Sequence, residues 1–353
     1  MLAIMGVAVR PCKRHLEGME NTSLNVVLGA GQIGTLMVEK LLARGLRVRQ
    51  VRRGSGTPLG RGASTPRPGL ELVHGDLEDH DFARAACAGA DVIYHCLNAR
   101  YDEWPQHLLP LTRGVLAGAA ASGARLVMLD CLYMYGRPQG PMREGSPEQP
   151  CSKKGELRKR QGEEVLAAHA RGDVRVAIAR ASDFFGPNVG NALFGDRFWP
   201  AALAGRPVEV FGDIDQPHSY SYSADVAEGL LGLAGHAAAF GRVTHLPVAP
   251  ALSTRTMVER IFVALGRTEA PRYRRLSDLL LRTVGIFAPM LREVAEMTYQ
   301  WKLPYVLDDS RFRAELGFGA TPLEQQIVAT VAWARTAHAP AGARQPLATV
   351  LRP

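Results

Sequence analysis

The sequence predicts an α/β protein: a doubly wound parallel sheet followed by a smaller C-terminal lobe. Three observations carry this. Short apolar runs alternate with helical patterns from Leu24 to about residue 181, the alternation that builds a parallel sheet with helices on both faces. A Gly29-x-Gly31-x-x-Gly34 turn joins the first apolar run to the first helical pattern. The regularity weakens after Gly186-Pro187, where isolated strand-like runs and late helices replace the repeat.

Leu24-Asn-Val-Val-Leu28 is the first strand. TLMVEKLLARG (35–45) has apolar residues at helical spacing and stops on Gly45. Residues 46–51 alternate as a second strand, and 54–69, rich in Gly, Pro and Ser, form a surface loop. Next come a strand at 70–76, a helix at 81–89, a buried strand at 90–98, a helix at 105–122, and a strand at 124–136 running into a loop. A Pro/Gly loop (137–150) leads to a helix at 153–170 and a sixth strand at 173–181. Strands at 207–212 and 242–248, with helices near 256–265 and 322–337, belong to the later part. The expected division is a disordered extension (1–23), a Rossmann-type dinucleotide-binding domain (24–185, plus returning segments), a region that is mainly a substrate lobe (186–337), and a loose tail (338–353).

The 353 residues carry 42 Lys+Arg against 34 Asp+Glu, a net charge of +8. The excess is spread along the chain, not gathered in one block, which argues against nucleic acid or membrane and for a small anionic ligand. Cys12, Cys87, Cys96, Cys131 and Cys151 form no CxxC pair and no zinc spacing with His, so no metal site is expected. Scattered thiols and the lack of an apolar run long enough to span a bilayer point to a cytoplasmic protein.

The glycine turn has a mechanism because it follows a strand and opens a helix. Gly29, Gly31 and Gly34 let the backbone approach a pyrophosphate, and Gln32 and Ile33 sit in the helix N-terminus, whose free N–H groups and dipole favour anions. Where such folds place an acidic residue for the ribose 2′-hydroxyl, this chain has Arg52-Arg53. Paired guanidinium groups suit a 2′-phosphate, so NADP(H) is expected in preference to NAD(H).

The order of motifs from Leu24 to Trp333 resembles the extended short-chain dehydrogenase/reductase family of the NAD-dependent epimerase/dehydratase type. Gly75-Asp76-Leu77 resembles the pair that meets the adenine, which implies roles for Asp76 and Leu77. ADVIYHCLNA resembles the strand ending beside the cofactor, placing Cys96 and Leu97 there. LVMLDCLYMYG resembles the strand ending in Tyr-Gly, IARASDFFGP the segment entering the substrate lobe, and GDIDQPHSYSYSADVAEGL the segment closing over substrate. The last two bring Asp183, Phe184 and His218 toward the substrate. LDDSRFRAELGF resembles the late Leu-Gly region. The family's Tyr-x-x-x-Lys is broken here: Lys159 falls on the lysine, Gly155 on the tyrosine, and Cys131 on the Ser/Thr.

Residues two apart on a strand share a face, so Cys131, Tyr133 and Tyr135 should point together at its C-terminal end. Tyr133 is the expected replacement proton donor, with Lys159 lowering its pKa and holding the nicotinamide ribose, and Cys131 a small pocket residue. Tyr101, with Trp104, Phe194, Phe198 and Trp199, suggests an apolar or aromatic ligand. The leading expectation is an NADP(H)-dependent oxidoreductase of a small organic molecule, transferring hydride at a carbonyl or conjugated double bond. The alternatives are a nucleotide-sugar epimerase/dehydratase and a non-catalytic dinucleotide-binding sensor. The resemblance also implies a homodimer paired through helices 105–122 and 153–170, with Leu108, Leu109, Leu111, Val115 and Leu116 as apolar surface.

Overall fold

The structure, a computed structural model, describes residues 23–54, 67–276 and 289–339. Most of the Gly/Pro loop, the first 22 residues and the tail beyond 339 therefore lie outside the described residues. The alternating runs become β1 (Leu24–Leu28), β2 (Arg47–Arg52), β3 (Leu70–His74), β4 (Val92–His95), β5 (Arg125–Asp130) and β6 (Arg175–Arg180). With the late strand Val243–His245 they form one sheet, in which that strand borders β6 and the order continues β6-β5-β4-β1-β2-β3, every neighbouring pair parallel. The order reverses at β1, which lies between β2 and β4. This opens a crevice at the C-terminal ends of β1 and β4, where ligands bind in such sheets.

Both faces are covered, which is why the central strands are apolar throughout. Val27 packs under α1 (Gln32–Leu42) and α6 (Ser223–Gly235) with Met37, Leu41, Leu230 and Leu233. Its neighbours Val26 and Leu28 point to the other side, under α2 (His80–Cys87), α3 (Trp104–Ser122) and α4 (Lys153–Ala170). Helix α6 was not foreseen because three glycines dilute its apolar pattern; its buried Val226, Leu230, Leu231 and Leu233 hold it on the sheet.

Leu108, Leu109, Leu111 and Val115 are buried within this chain. They are therefore not free surface for a second copy, and α3 does not carry the argument for pairing. Among the described residues, no helix is long and apolar enough to cross a membrane.

The expected strand over 124–136 is the main local correction. β5 ends at Asp130, in register with Arg180 of β6, and the chain then turns. Tyr133–Tyr135 form a 3₁₀ turn, with Tyr135 N–H donating to Leu132 O and Gly136 N–H to Tyr133 O. Gly136 has φ +61°, and a Cβ there would lie 2.0 Å from Gln149 O, so the close return of the loop requires glycine. Cys131, Tyr133 and Tyr135 consequently do not share a strand face.

Beyond β7 (Asp183–Phe185) a separate aromatic cluster of Phe185, Phe194, Phe198, Trp199 and Tyr220 packs with Ile261 of α7 (Thr254–Ala264) and Val331 of the final helix (Leu323–Ala337). A smaller cluster, Leu132, Met134, Tyr135, Tyr299 and Tyr305, fills the space at the sheet edge.

The approach of α3 to the β3–α2 connection gives a stability prediction. A Cβ on Gly114 would lie 1.7 Å from Leu77 O, a backbone atom that cannot swing aside. Gly114→Ala is expected to destabilise the fold by about 1–3 kcal/mol or more, read as a lowered urea midpoint. An unchanged midpoint would show that the helices do not approach this closely.

Candidate active site

A cavity of about 2230 Å³ opens along the C-terminal edge of the sheet. It runs from Gly29–Ile33, past Cys96–Asn98 and Leu129–Tyr133, to Asn188, Trp301 and Trp333 in the later part of the chain. Its first wall is the glycine turn. Gly29 has φ +113°, and a Cβ on Gly34 would sit 2.3 Å from Gly29 O, so these two glycines serve the turn and the strand–helix packing. A Cβ on Gly31 would meet nothing within 4 Å, because this glycine faces open space. Gly31 also N-caps α1 without a side-chain cap, which leaves the first helical N–H groups for a ligand. Gln50 steadies the turn by donating to Gly29 O (3.1 Å).

At the end of β2 the two arginines differ. Arg52 is buried and its Nε donates to His74 Nε2 (2.8 Å). Arg53 is half exposed and pairs with Asp76 (3.4 Å) and Glu78 (3.2 Å). The two therefore do not present a matched clamp. Leu77 is buried in the core, and neither it nor Asp76 lines the cavity.

At the β5 edge, Cys131 and Tyr133 line the cavity, and Tyr135 does not. Tyr135 is buried, accepting from Arg180 Nη1 (2.8 Å) and lying 2.8 Å from His245 Nε2. The Tyr133 phenol hydrogen-bonds that of Tyr101, and its ring stacks at 6.1 Å on Trp104. Burial, followed by Tyr101, Cys131 and Asp183 nearby, pushes the Tyr133 phenol well above its ordinary value. Lys159 does not counter this. Its Nζ donates to Glu148 O (3.2 Å), and it is absent from the cavity lining. The expected tyrosine–lysine coupling is overturned: helical rotation from the pocket-facing position to Lys159 turns its side chain toward the 137–150 loop.

The side chains that α4 brings to this edge are Arg158 and Lys154, which the sequence reading missed. Arg158 lines the cavity, its Cζ 4.3 Å from the Trp104 ring centre and its Nη1 donating to Gln161 (2.8 Å). Lys154 is buried behind it, donating to Tyr101 O (2.7 Å) and paired with Glu293. Both stand in the basic run KKGELRKR, where spacing alone does not separate the inward from the solvated cations.

Asp183 and Phe184 line the cavity, whereas His218 sits behind Asp183. His218 Nε2 lies 2.7 Å from Asp183 Oδ2, and its ring is held against Trp301, Tyr305 and Tyr220. Of this pair, Asp183 is the group that can meet a ligand. Cys96 and Cys131 remain thiols, each pushed up to about 12 chiefly by burial; neither is a ready nucleophile.

The chain belongs to the NAD dependent epimerase/dehydratase family, whose model matches residues 26–246. It is 28% identical to UDP-glucuronic acid decarboxylases 1 and 2 of Arabidopsis thaliana, over 61% of this chain and 52% of each relative. The chain thus spans about half the length of the curated relatives it matches. Its fold is that of dTDP-glucose 4,6-dehydratase from Bacillus anthracis in complex with NAD (TM-score 0.73, 17% identity, covering 88% of this chain and 96% of that one). UDP-glucose 4-epimerase from Thermotoga maritima with UDP-glucose is also similar (TM-score 0.70, 18% identity, 89% and 99%).

Two buried histidines beside the site make stability depend on pH. Burial, with Arg158 adding to it, lowers His95 to about 3, and burial lowers His245 to about 4. Both values lie below the roughly 6.5 of an unfolded histidine. Their contribution is complete above pH 6.5 and is lost as pH falls, since the unfolded chain binds the extra protons. Between pH 7 and pH 5 each is expected to cost roughly 2 kcal/mol, seen as a falling urea midpoint. A midpoint flat over that range would contradict the buried neutral rings.

Proposed function

We propose that the chain is a nicotinamide-dinucleotide-dependent enzyme that oxidises or reduces a carbon–oxygen centre of a nucleotide-linked sugar. One observation carries this: a single cavity joins the glycine turn to the later part of the chain. At about 2230 Å³ it exceeds the roughly 300–1,000 Å³ of a usual one-ligand pocket, so a dinucleotide and a second large ligand both fit. The relatives named above support the sugar-nucleotide class over the expected small carbonyl or alkene. The family match and the fold give no comparable support to that first expectation.

The residues present fit a dinucleotide. The open side of Gly31 and the uncapped start of α1 receive the pyrophosphate, and Cys96, Leu97 and Cys131 form a wall of small or apolar side chains. The bound group supplies a hydride acceptor or donor. Tyr133 keeps its proton on Oη and offers it to a substrate oxygen in the reductive direction. Asp183, steadied from behind by His218, accepts a hydrogen bond from a substrate hydroxyl. Arg53, the exposed arginine at the end of β2, favours a 2′-phosphate and hence NADP(H).

Gly155 and the outward Lys159 favour a second reading, a chain that binds dinucleotide without turning it over. Reduced-nicotinamide absorbance at ~340 nm, which follows net redox, together with chromatography of a panel of sugar nucleotides for products of redox-neutral turnover, separates the two. Turnover supports the enzyme, and dinucleotide binding without turnover on any of them supports the sensor.

Two outcomes are expected. Arg53→Asp should weaken NADPH binding about ten- to hundredfold and leave NADH nearly unchanged, by titration of each cofactor. Equal wild-type affinity for both would remove the preference. Tyr133→Phe should lower turnover by about 10²–10⁴ with cofactor affinity preserved; full turnover in that variant would mean that water or another group donates the proton.

A further inference from the structure

The strand order divides the crevice in two. β2, whose end meets the adenosine half in such sheets, lies on one side of β1, and β4 and β5 lie on the other. The nicotinamide half therefore belongs at the C-terminal ends of β4 and β5. Arg158 reaches that edge from α4 and lines the cavity while only 5% exposed.

Its guanidinium plane is fixed before any ligand arrives. Trp104 stacks beneath it, Gln161 accepts from Nη1, and Asp130 Oδ1 lies 3.5 Å from the same nitrogen. Arg180 Nε donates to the other oxygen, Oδ2 (3.1 Å), and Oδ1 accepts no hydrogen bond, so Arg158 and Asp130 form an ion pair without a closed hydrogen bond. The fork retains unused donors: Nε is buried without an acceptor, and Nη2 makes no hydrogen bond among the described residues. His95, at the end of β4 but outside the cavity lining, carries another. Its Nδ1 accepts from Leu97 N–H, so the neutral ring carries its proton on Nε2, which is also buried without a partner. Buried donors without acceptors are rare in finished interiors and mark a place where an oxygen-rich partner is missing.

We propose that Arg158, not Lys159, is the cation that receives the nicotinamide-riboside half of the dinucleotide, through its ribose hydroxyl and carboxamide oxygens. The inference rests on the reading of the cavity as a dinucleotide site. A guanidinium offers a rigid, planar fork of donors that matches paired oxygens, so this position binds and orients. Lys159, one residue on, spends its ammonium on the Glu148 carbonyl.

Affinities for NADH, NADPH and ADP, measured by calorimetry on the full chain, test this, because ADP lacks the nicotinamide riboside. Arg158→Met should weaken both dinucleotides about ten- to hundredfold and leave ADP within about twofold. Arg158→Lys, which keeps a cation beside Asp130 and guards against a misfolded variant, should recover part of the loss. Lys159→Met should change none of the three. Dinucleotide affinity unchanged in Arg158→Met, an equal loss of ADP affinity, or a loss carried by Lys159→Met each overturns the assignment. Wild type binding neither dinucleotide nor ADP would overturn the cavity reading and this assignment with it. Wild type binding all three with Arg158→Met unaltered would overturn this assignment alone.

Discussion

The Asp130 carboxylate is the constraint from which the site is built. Its side chain is wholly buried at the end of β5, between Arg180 of β6 and Arg158 of α4. Arg180 passes the connection on, to Glu148 in the loop before α4 (2.7 Å) and to Tyr135. Because Arg180 donates to the Tyr135 oxygen, that phenol can give its own proton to His245 Nε2. His245 Nδ1 then donates to Asp308 O (3.1 Å). The donation from Tyr135 requires a neutral imidazole, which agrees with the depressed His245 pKa. Such a network is weak evidence for net stability, but removing one member leaves a buried charge uncompensated, at a cost of about 3–5 kcal/mol. The network sits where β5 ends at Asp130 and the chain turns to carry Cys131–Tyr133 along the cavity.

The same geometry explains why the family's tyrosine has no place here. A Cβ on Gly155 would lie 2.6 Å from Tyr133 O and 2.9 Å from the Pro150 side chain. The 3₁₀ turn has come down onto the first turn of α4, and the volume a phenol would fill is taken by the loop itself. Lys154, next in the helix, lies 4.3 Å from the Tyr101 ring centre and 5.3 Å from that of Trp104. It thereby fixes the two rings that contact Tyr133. The glycine is thus part of an alternative packing, and restoring tyrosine at that position alone would collide with backbone.

Much of the fold was legible because it depends on local signals. The β1 run, the glycine turn and the helical spacing of α3 and α4 each follow from a few consecutive residues, and their bounds shift by only a few positions in the structure. The Gly29 and Gly34 constraints were readable too, since each follows from where a turn must pass close to backbone. What could not be read was orientation across elements. Nothing in LVMLDCLYMYG shows that Arg180, fifty residues later, meets the strand's end at its aspartate. Arg158 and Lys159 are neighbours in one basic run, and a rotation of about 100° decides which enters the cavity. Arg52 and Arg53 divide likewise, one beneath the strand end and one in solvent, because strand neighbours face opposite ways. Asp183 and His218 were each read as approaching the substrate, but only the lobe's packing shows that they pair and that the acid faces in.

The charges available at the junction also bear on the chemistry. Several groups at the junction are held neutral: burial raises the phenols of Tyr101, Tyr133 and Tyr305 and the thiols of Cys96 and Cys131, and burial lowers His95. The neighbours that act most on Tyr133, namely Tyr101, Cys131 and Asp183, raise it further. Forming a phenolate there would cost desolvation. A neutral phenol can still give a proton to an oxygen whose basicity rises during reaction, whereas it is a poor acceptor of one. The cavity wall is therefore better suited to completing a reduction than to starting an oxidation. In an enzyme that runs both halves on one substrate, the proton acceptor would have to come from elsewhere on the wall, where Asp183 and Asp196 are carboxylates that line the cavity without being enclosed between arginines.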